Sequence, residues 1–456
     1  STLFPYTTLF RSHPVNINVH HWYVPHRLVW EDFEDFITGG ADGDDNSTFP
    51  TIDFSSGAVA VGDLADYLGV PLGFNSTTSA LPFRGYAAIF NEWYRDQDLV
   101  TELALSTASG ADSTTSTDLQ NAAWAKDYFT SARPWETKGT SLTVPLAGQA
   151  PVTGIAIKDD QTAASESTYI GTTSADDGTM DAWKFTSDTA ALRAQTTGLP
   201  NASTNRPQVF ADLSQATGFS INDLREILGL QRYQEARARY GSRYTEYLRY
   251  LGVRSSDSRL QRPEYLGGGR QTIQFSEVLQ TAEGTNDVGT LRGHGIAAMR
   301  SNRYRRFIEE HGYIFTLLSV RPKGMYMEGL ARHWNRREKE DFWQRELQHI
   351  GQQEILNKEL YAAHATPDGT FGYQDRYDEY RRQESNVAGE FRNSTLNHWH
   401  FARDFSSDPA LNSTFVECVP TERTFPVSSE DVLYIMARHS IQARRLVAKT
   451  GKSHIF

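Results

Sequence analysis

Two arginine-rich stretches hold the residue types that could do chemistry in this 456-residue chain. In the first, Arg292, Arg300, Arg303, Arg305 and Arg306 fall within fifteen residues that contain no acid, with Tyr304 and Phe307 close by. In the second, Arg232, Arg237, Arg239, Arg243, Arg249, Arg254 and Arg259 interleave with Tyr233, Tyr240, Tyr244, Tyr247 and Tyr250. Guanidinium groups mixed with aromatic rings suit single-stranded nucleic acid held without sequence readout, cations on phosphates and rings under bases. The competing reading is structural. The same arginines would tie long loops together or bridge subunits, with Glu235, Glu246 and Asp257 as partners. Arg292, Arg300, Arg303, Tyr304, Arg305 and Arg306 form the candidate nucleic-acid-binding set.

Other motifs carry less. Gly451-Lys452-Ser453 resembles the end of a phosphate-binding loop, but Leu446 stands where that loop needs glycine. Gly267-Gly268-Gly269 and the run Gly289 to Gly295 lack dinucleotide-binding spacing and read as places where backbones pass closely. His20, His21, His26, His398 and His400 have no H-E-x-x-H context and no acid at ligand spacing; His398 and His400 are expected on one face of a strand. Cys418, the single cysteine, excludes a disulfide within the chain and reads as a packed thiol. There is no G-x-S-x-G elbow, and the carboxylates are too numerous to single out a pair. No catalytic residue, metal site or cofactor is therefore expected. A structural divalent ion such as calcium between subunits stays open.

These residues need elements to position them. The composition is that of a globular protein, 39% hydrophobic and 22% charged, with a net charge of −11 and no window apolar enough to span a membrane. Arginine outnumbers lysine 36 to 9. The charge is uneven: net −10 over residues 1–104, −5 over 105–220 and +4 over 221–456, where most of the arginines lie. Val15 to Val24 alternates with period two and predicts a strand with one buried side, ended by Pro25. Arg84 to Leu103 predicts an amphipathic helix, and Ser106 to Thr117 a low-complexity loop. Leu142–Leu146 and Val152–Ile157 read as short strands, followed by a Thr/Ser/Asp-rich surface excursion with minor strands of its own. Helix returns from Ser220 to about Leu251, broken at Gly241. Tyr313 to Val320 predicts a strand buried on both faces, Met325 to Gln353 a mostly helical stretch, and Phe425–Val427, Val432–Met436 and Ile441–Val447 terminal strands. Short strands separated by very long connections fit a two-sheet sandwich with large inserted loops better than a βαβ repeat or a helical bundle.

The opening Thr2-Leu3-Phe4-Pro5-Tyr6-Thr7-Thr8-Leu9-Phe10-Arg11-Ser12 reads like a sequencing-adapter oligonucleotide translated in frame. Residues 1–12 are therefore set aside as a sequencing artefact, and the fold is argued from His13.

Ordered motifs along the rest of the chain resemble one known family. They include Val24-Pro25-His26-Arg27-Leu28-Val29-Trp30-Glu31-Asp32-Phe33, Leu81-Pro82-Phe83-Arg84, and Asn91-Glu92-Trp93-Tyr94-Arg95-Asp96. Asp127-Tyr128-Phe129-Thr130-Ser131-Ala132, Gly241-Ser242-Arg243-Tyr244, Leu260-Gln261-Arg262-Pro263-Glu264-Tyr265-Leu266-Gly267-Gly268, Glu310-His311-Gly312-Tyr313, Phe371-Gly372-Tyr373-Gln374 and Leu411-Asn412-Ser413 follow in order. The chain resembles the major capsid proteins of Microviridae, small icosahedral single-stranded DNA bacteriophages, in their gokushovirus-like branch. The resemblance implies an all-β core, an eight-stranded jelly-roll β-sandwich with large helical and irregular loop insertions, as one domain over 13–456. It implies self-assembly into a T=1 icosahedral shell around circular single-stranded DNA. It also implies that 147–210 is a surface protrusion at the three-fold axis, a host-contact surface. The partners implied are further copies of the chain, packaged DNA bound non-specifically, minor phage proteins and a host surface receptor, in a virion assembled in the bacterial host cytoplasm. No residue-level DNA or ion site comes with the resemblance. A receptor- or carbohydrate-binding sandwich of adhesin type, or a hydrolase on a sandwich, are the competing classes.

Overall fold

A computed structural model of the chain describes residues 13–140, 142, 221–241, 243–279, 291–425 and 431–445, together with the backbone of strand segments between 152 and 211. The artefact assignment at 1–12, the strand expected at Leu142–Leu146 beyond its first residue, and the Gly451-Lys452-Ser453 tail lie outside the described residues. The chain divides into two compact units, one formed by Ser1–Glu136 with Ala238–Phe456 and the other by Thr137–Arg237.

The first unit is built on antiparallel sheets joined by long loops. Strand β1 (Val15–Pro25) comes first, followed by a hairpin-like pair, β2 (Thr51–Asp53) and β3 (Thr77–Ser79). The second unit contributes β4 (Val152–Thr153), β5 (Ala156–Ile157), β6 (Tyr169–Thr173), β7 (Met180–Asp188), β8 (Ala191–Thr196) and β9 (Phe210–Ala211). Its four-stranded sheet runs β5-β6-β7-β8, with β4 paired to β9. The excursion expected at the surface thus has strands of its own. The first unit resumes with β10 (Glu264–Thr272), β11 (Gln274–Leu279), β12 (Leu291–Ile296), β13 (Gly312–Pro322), β14 (Gln352–Leu356) and β15 (Thr370–Asp375). Its principal sheet orders β10-β1-β13, all antiparallel; β11 pairs with β12 and β14 with β15. Several antiparallel sheets with large insertions are compatible with a β-sandwich.

Strand β1 behaves as expected in extent but not in exposure. Its end is buried on both faces: Trp22 and Val24 point to one side, His21 and Tyr23 to the other. The first side packs on α1 (Leu81–Ile89) in a cluster with Trp30, Ile89 and Phe315. The second side is covered by the chain segment leading into β13. The strand expected to be buried on both faces, Tyr313–Val320, is instead an outer strand of the sheet, with Tyr313, Ile314 and Leu318 exposed.

Helix α1 corrects the expectation for Arg84–Leu103. It starts earlier, with Pro82 in its first turn, where a missing N–H costs nothing. It is buried nearly all round and passes through a π turn at Phe90–Tyr94 before ending. The Asp96 carboxylate then takes the N–H groups of Asp98 and Leu99, a local alternative to continuing the helix. The Asn91 side chain closes the following loop on both backbone groups of Leu103.

Two further expectations are overturned. The only helical segments of Met325–Gln353 are short 3-10 turns at Arg332–Trp334 and Lys339–Asp341, and it ends in β14. Trp334, Phe342, Trp343 and Ile350 are exposed, so no apolar face is buried to stabilise a helix. Described residues 431–445 contain no strand, although Tyr434, Met436 and Ile441 have strand-like composition. Unpaired strand backbone has no ladder partner there. The predicted helix from Ser220 is borne out as α2 (Ile221–Tyr240) and α3 (Tyr244–Tyr250), separated at Gly241.

Candidate nucleic-acid interface

The first arginine stretch begins in β12, where the β11–β12 register places Arg292 opposite Val278, and runs on beyond the strand. The Arg292 side chain lies outside the described residues. From residue 297 the chain runs without regular structure to residue 309 and then enters β13. This stretch lies across β10 and β1. Asn302 N–H donates to the Gly268 carbonyl at 3.2 Å. Ser301 Oγ and His21 Nε2 are 3.0 Å apart, and the Tyr304 ring is 5.2 Å from the His21 ring. His21 Nδ1 meets Thr316 Oγ1 on β13 at 3.0 Å, so one imidazole links the crossing segment to two strands. Burial, then the nearby His439, lowers the His21 pKa, which keeps the ring neutral in neutral solution.

Glycine makes the crossing possible. A Cβ on Gly268 would collide with the Val19 carbonyl oxygen, and one on Gly269 would lie 3.0 Å from Ser301 Cα. The glycine triplet is therefore a site of close backbone approach, as expected, but within a strand rather than a loop.

Ser301 and Tyr304 anchor the segment inward, half-buried, while Arg300, Arg303 and Arg305 are exposed. Among the described residues none of these three arginines has an ion-pair partner. Arg306 differs: it meets Glu264 on β10 at 2.9 Å. The stretch contains no acid, yet one acid reaches it from a neighbouring strand. The five described members of the predicted set are thus brought together, three as unpaired cations, one as an anchor and one as a tie.

The second stretch splits between the two readings. Arg239 pairs with Asp375 at 2.8 Å, and Arg243 caps α3 through Glu246 and donates to the Asn91 carbonyl. Asp257 binds Arg262 rather than a member of the stretch, and Glu235 accepts from Gln231. Arg249, Arg254 and Arg259 have no ion-pair partner among the described residues.

Residues 432–445, read from sequence only as strands, form a cationic stretch that the sequence reading did not single out. They hold Arg438, Arg444 and Arg445, all exposed, and His439 lies close enough to His21 to depress its pKa. The available signal was the absence of any acid after Asp431. The histidine candidates do not assemble. His20 and His21 face opposite sides of β1, His398 sits in a 3-10 turn rather than a strand, and buried His400 is 2.8 Å from the Phe391 carbonyl. No cluster of three metal-ligating side chains occurs among the described residues. Cys418 is buried, its thiol pushed up to about 12 by that burial.

The motifs that carry the family resemblance occupy tie points between distant loops. Arg27 bonds Glu310 and Gln261, Arg84 bonds Asp112, and the Arg262 guanidinium stacks 4.3 Å over Trp93. Gln374 Nε2 donates to the Tyr128 carbonyl and Ser131 Oγ. A family model described as Capsid protein (F protein) matches residues 4–454. The chain belongs to this capsid protein family. It is 36% identical over 431 residues to Capsid protein VP1 of Bdellovibrio phage phiMH2K, covering 91% of this chain and 80% of that one. It is 31% identical over 494 residues to Capsid protein VP1 of Chlamydia phage 1, covering 91% and 82%. With Capsid protein VP1 of Spiroplasma virus 4 it shares 32% over 448 residues, covering 90% and 79%. The resemblance to Microviridae major capsid proteins is borne out, and the role of this capsid protein is structural. No helix among the described residues is long and apolar enough to cross a membrane.

Proposed function

We propose that this capsid protein closes into a T=1 icosahedral shell around circular single-stranded DNA, with Arg300, Arg303 and Arg305 turned toward the DNA. The observation that carries this reading is a row of three exposed guanidiniums without acidic partners among the described residues, held on a segment pinned to the principal sheet. Such cations neutralise phosphates without reading bases, which suits a genome packaged whatever its local sequence. The principal sheet forms part of an eight-stranded jelly roll. The excursion at 147–210 protrudes at the three-fold axis and meets a host receptor. Minor phage proteins complete the virion, which assembles in the bacterial cytoplasm. The protein carries out no catalysis.

Negative-stain electron microscopy of the purified chain tests the shell. Uniform small closed particles are expected. Soluble monomers or trimers across a wide range of salt and calcium would overturn the reading in favour of a receptor-binding sandwich. For the DNA face, particles of the R300A/R303A/R305A variant should form but carry less nucleic acid. Intact shells with unchanged nucleic-acid content would remove these residues from that face.

A further inference from the structure

A second site lies where α3 ends. The helix stops in a turn in which Gly252 N–H bonds the Arg249 carbonyl and Val253 N–H bonds the Leu248 carbonyl at 2.8 Å. Gly252 holds a φ of 80°, the left-handed conformation that ends helices this way. The reversal sets Arg249 and Arg254 on the lining of one cavity of 590 Å³, with Leu248, Val253, Leu260 and Arg262. That volume falls within the range of roughly 300–1,000 Å³ typical of small-ligand sites.

The charges in this cavity are unequal. Arg262 is neutralised: it pairs with Asp257 at 2.6 Å, donates to Thr245 Oγ1 and stacks on Trp93, so it forms a fixed wall. Arg249 and Arg254 are exposed and have no acidic partner among the described residues. Two free guanidiniums beside an apolar wall fit a phosphate attached to a flat, weakly polar ring. A carboxylate side chain would use the cations and leave Leu248, Val253 and Leu260 without a partner. Beside Arg249, exposed Tyr250 stacks on Tyr240 with ring centroids 4.6 Å apart, a platform for a neighbouring base.

We infer that this cavity binds one nucleotide of a single DNA strand, its phosphate between Arg249 and Arg254 and its base against Leu248, Val253 and Leu260. The inference rests on the nucleic-acid reading of the protein and adds a defined pocket to it, away from the 300–306 segment in sequence.

Photo-crosslinking of the full chain with oligo(dT) carrying 5-iododeoxyuridine, followed by peptide mass mapping, tests the pocket. A crosslink within residues 245–262 is expected, lost in R249Q/R254Q at unchanged circular dichroism and thermal midpoint. In anisotropy titrations with oligo(dT), that variant should lower the log–log salt slope by about 0.7, the value for one phosphate of a single strand. Crosslinks confined to 300–306, with a slope that falls in R300Q/R303Q/R305Q but not in R249Q/R254Q, would overturn the pocket and leave the wider reading standing. No salt-dependent binding in the unsubstituted chain would remove both. If free dTMP blocks crosslinking as well as unlabelled oligo(dT) at equal nucleotide concentration, the site takes free nucleotides and the inference fails. Loss of particles in R249Q/R254Q with unchanged oligo(dT) binding would make the cavity a contact between subunits, which also overturns it.

Discussion

His21 Nε2 lies 3.0 Å from Ser301 Oγ, so a residue of the central strand grips the segment from which three arginines without an ion-pair partner among the described residues project. The contact fixes backbone, not charge. The arginines stay free to meet phosphate, while the sheet limits how far the segment can move. A segment whose backbone is already fixed loses less conformational entropy on binding than a free loop.

The salt dependence of DNA binding should report this arrangement. Replacing Arg300, Arg303 and Arg305 together with alanine is expected to lower the log–log salt slope for single-stranded DNA by about 2, at about 0.7 per phosphate contact. Titrations of the intact chain at several salt concentrations measure it. An unchanged slope would mean that these side chains do not touch phosphate.

Gly269→Val tests the support beneath the same segment. Its Cβ would lie 3.0 Å from Ser301 Cα, so either the strand or the segment must shift. Overpacking of this kind costs about 1–3 kcal/mol. Urea unfolding should show that loss together with weaker DNA binding. Full stability would mean that the crossing relaxes freely.

Arg84→Ala should be among the most damaging single changes. Arg84 and Asp112 are both buried, 2.8 Å apart, and Arg84 also donates to the Val29 and Ala108 carbonyls. Burial pushes the Asp112 carboxyl up, but hydrogen bonds from Thr115, Arg84 and Thr114 outweigh it and hold the pKa below the usual range. Removing the cation strands a buried carboxylate, at a cost of about 3–5 kcal/mol. A drop under 1 kcal/mol in denaturant titration would contradict the pairing.

Acid should destabilise the protein partly through His13. It is buried against Phe401, and neither ring nitrogen has a hydrogen-bond partner among the described residues. Burial, then His400, Arg423 and Lys323, lowers its pKa from 6.5 to about 4. Between those values the unfolded chain takes up the proton first. Stability is therefore full above pH 6.5, falls as the pH drops toward about 4, and levels off below. This one group accounts for on the order of 3 kcal/mol. His13→Phe should flatten that part of the profile; the same slope in the variant would assign it to the other buried histidines.

Cys418 should resist thiol reagents in the folded chain. Its thiol is raised to about 12 by burial, which outweighs Arg321 and Arg403, so thiolate is scarce in neutral solution. Modification by a colorimetric disulfide reagent is expected to follow unfolding in denaturant. Rapid labelling without denaturant would place the thiol at the surface.

What could be read from sequence follows the range of the forces involved. Strand β1 and the break between α2 and α3 at Gly241 were legible, because alternation and glycine act locally. Leu411-Asn412-Ser413, seen first as a motif, proves to be a helix start, with the Asn412 side chain accepting from Phe415 N–H. The end of α1 was not legible, since it depends on Asp96 and Asn91 bonding loop backbone. Nor was the pairing of Arg306, whose acid lies 42 residues away in sequence. The unpaired arginines were visible as a run without acids; which of them stay unpaired required Glu264 to be placed.

The open edge of β13 bears on the life of the protein before assembly. Tyr313, Ile314 and Leu318 are exposed along a strand that, among the described residues, pairs on one side only. A long outer strand of this kind invites further strand pairing. Chains that wait unassembled at high concentration would pair edges at random, so yield depends on the rate of ordered association relative to synthesis. Slower expression should therefore raise the fraction of chains recovered in soluble form.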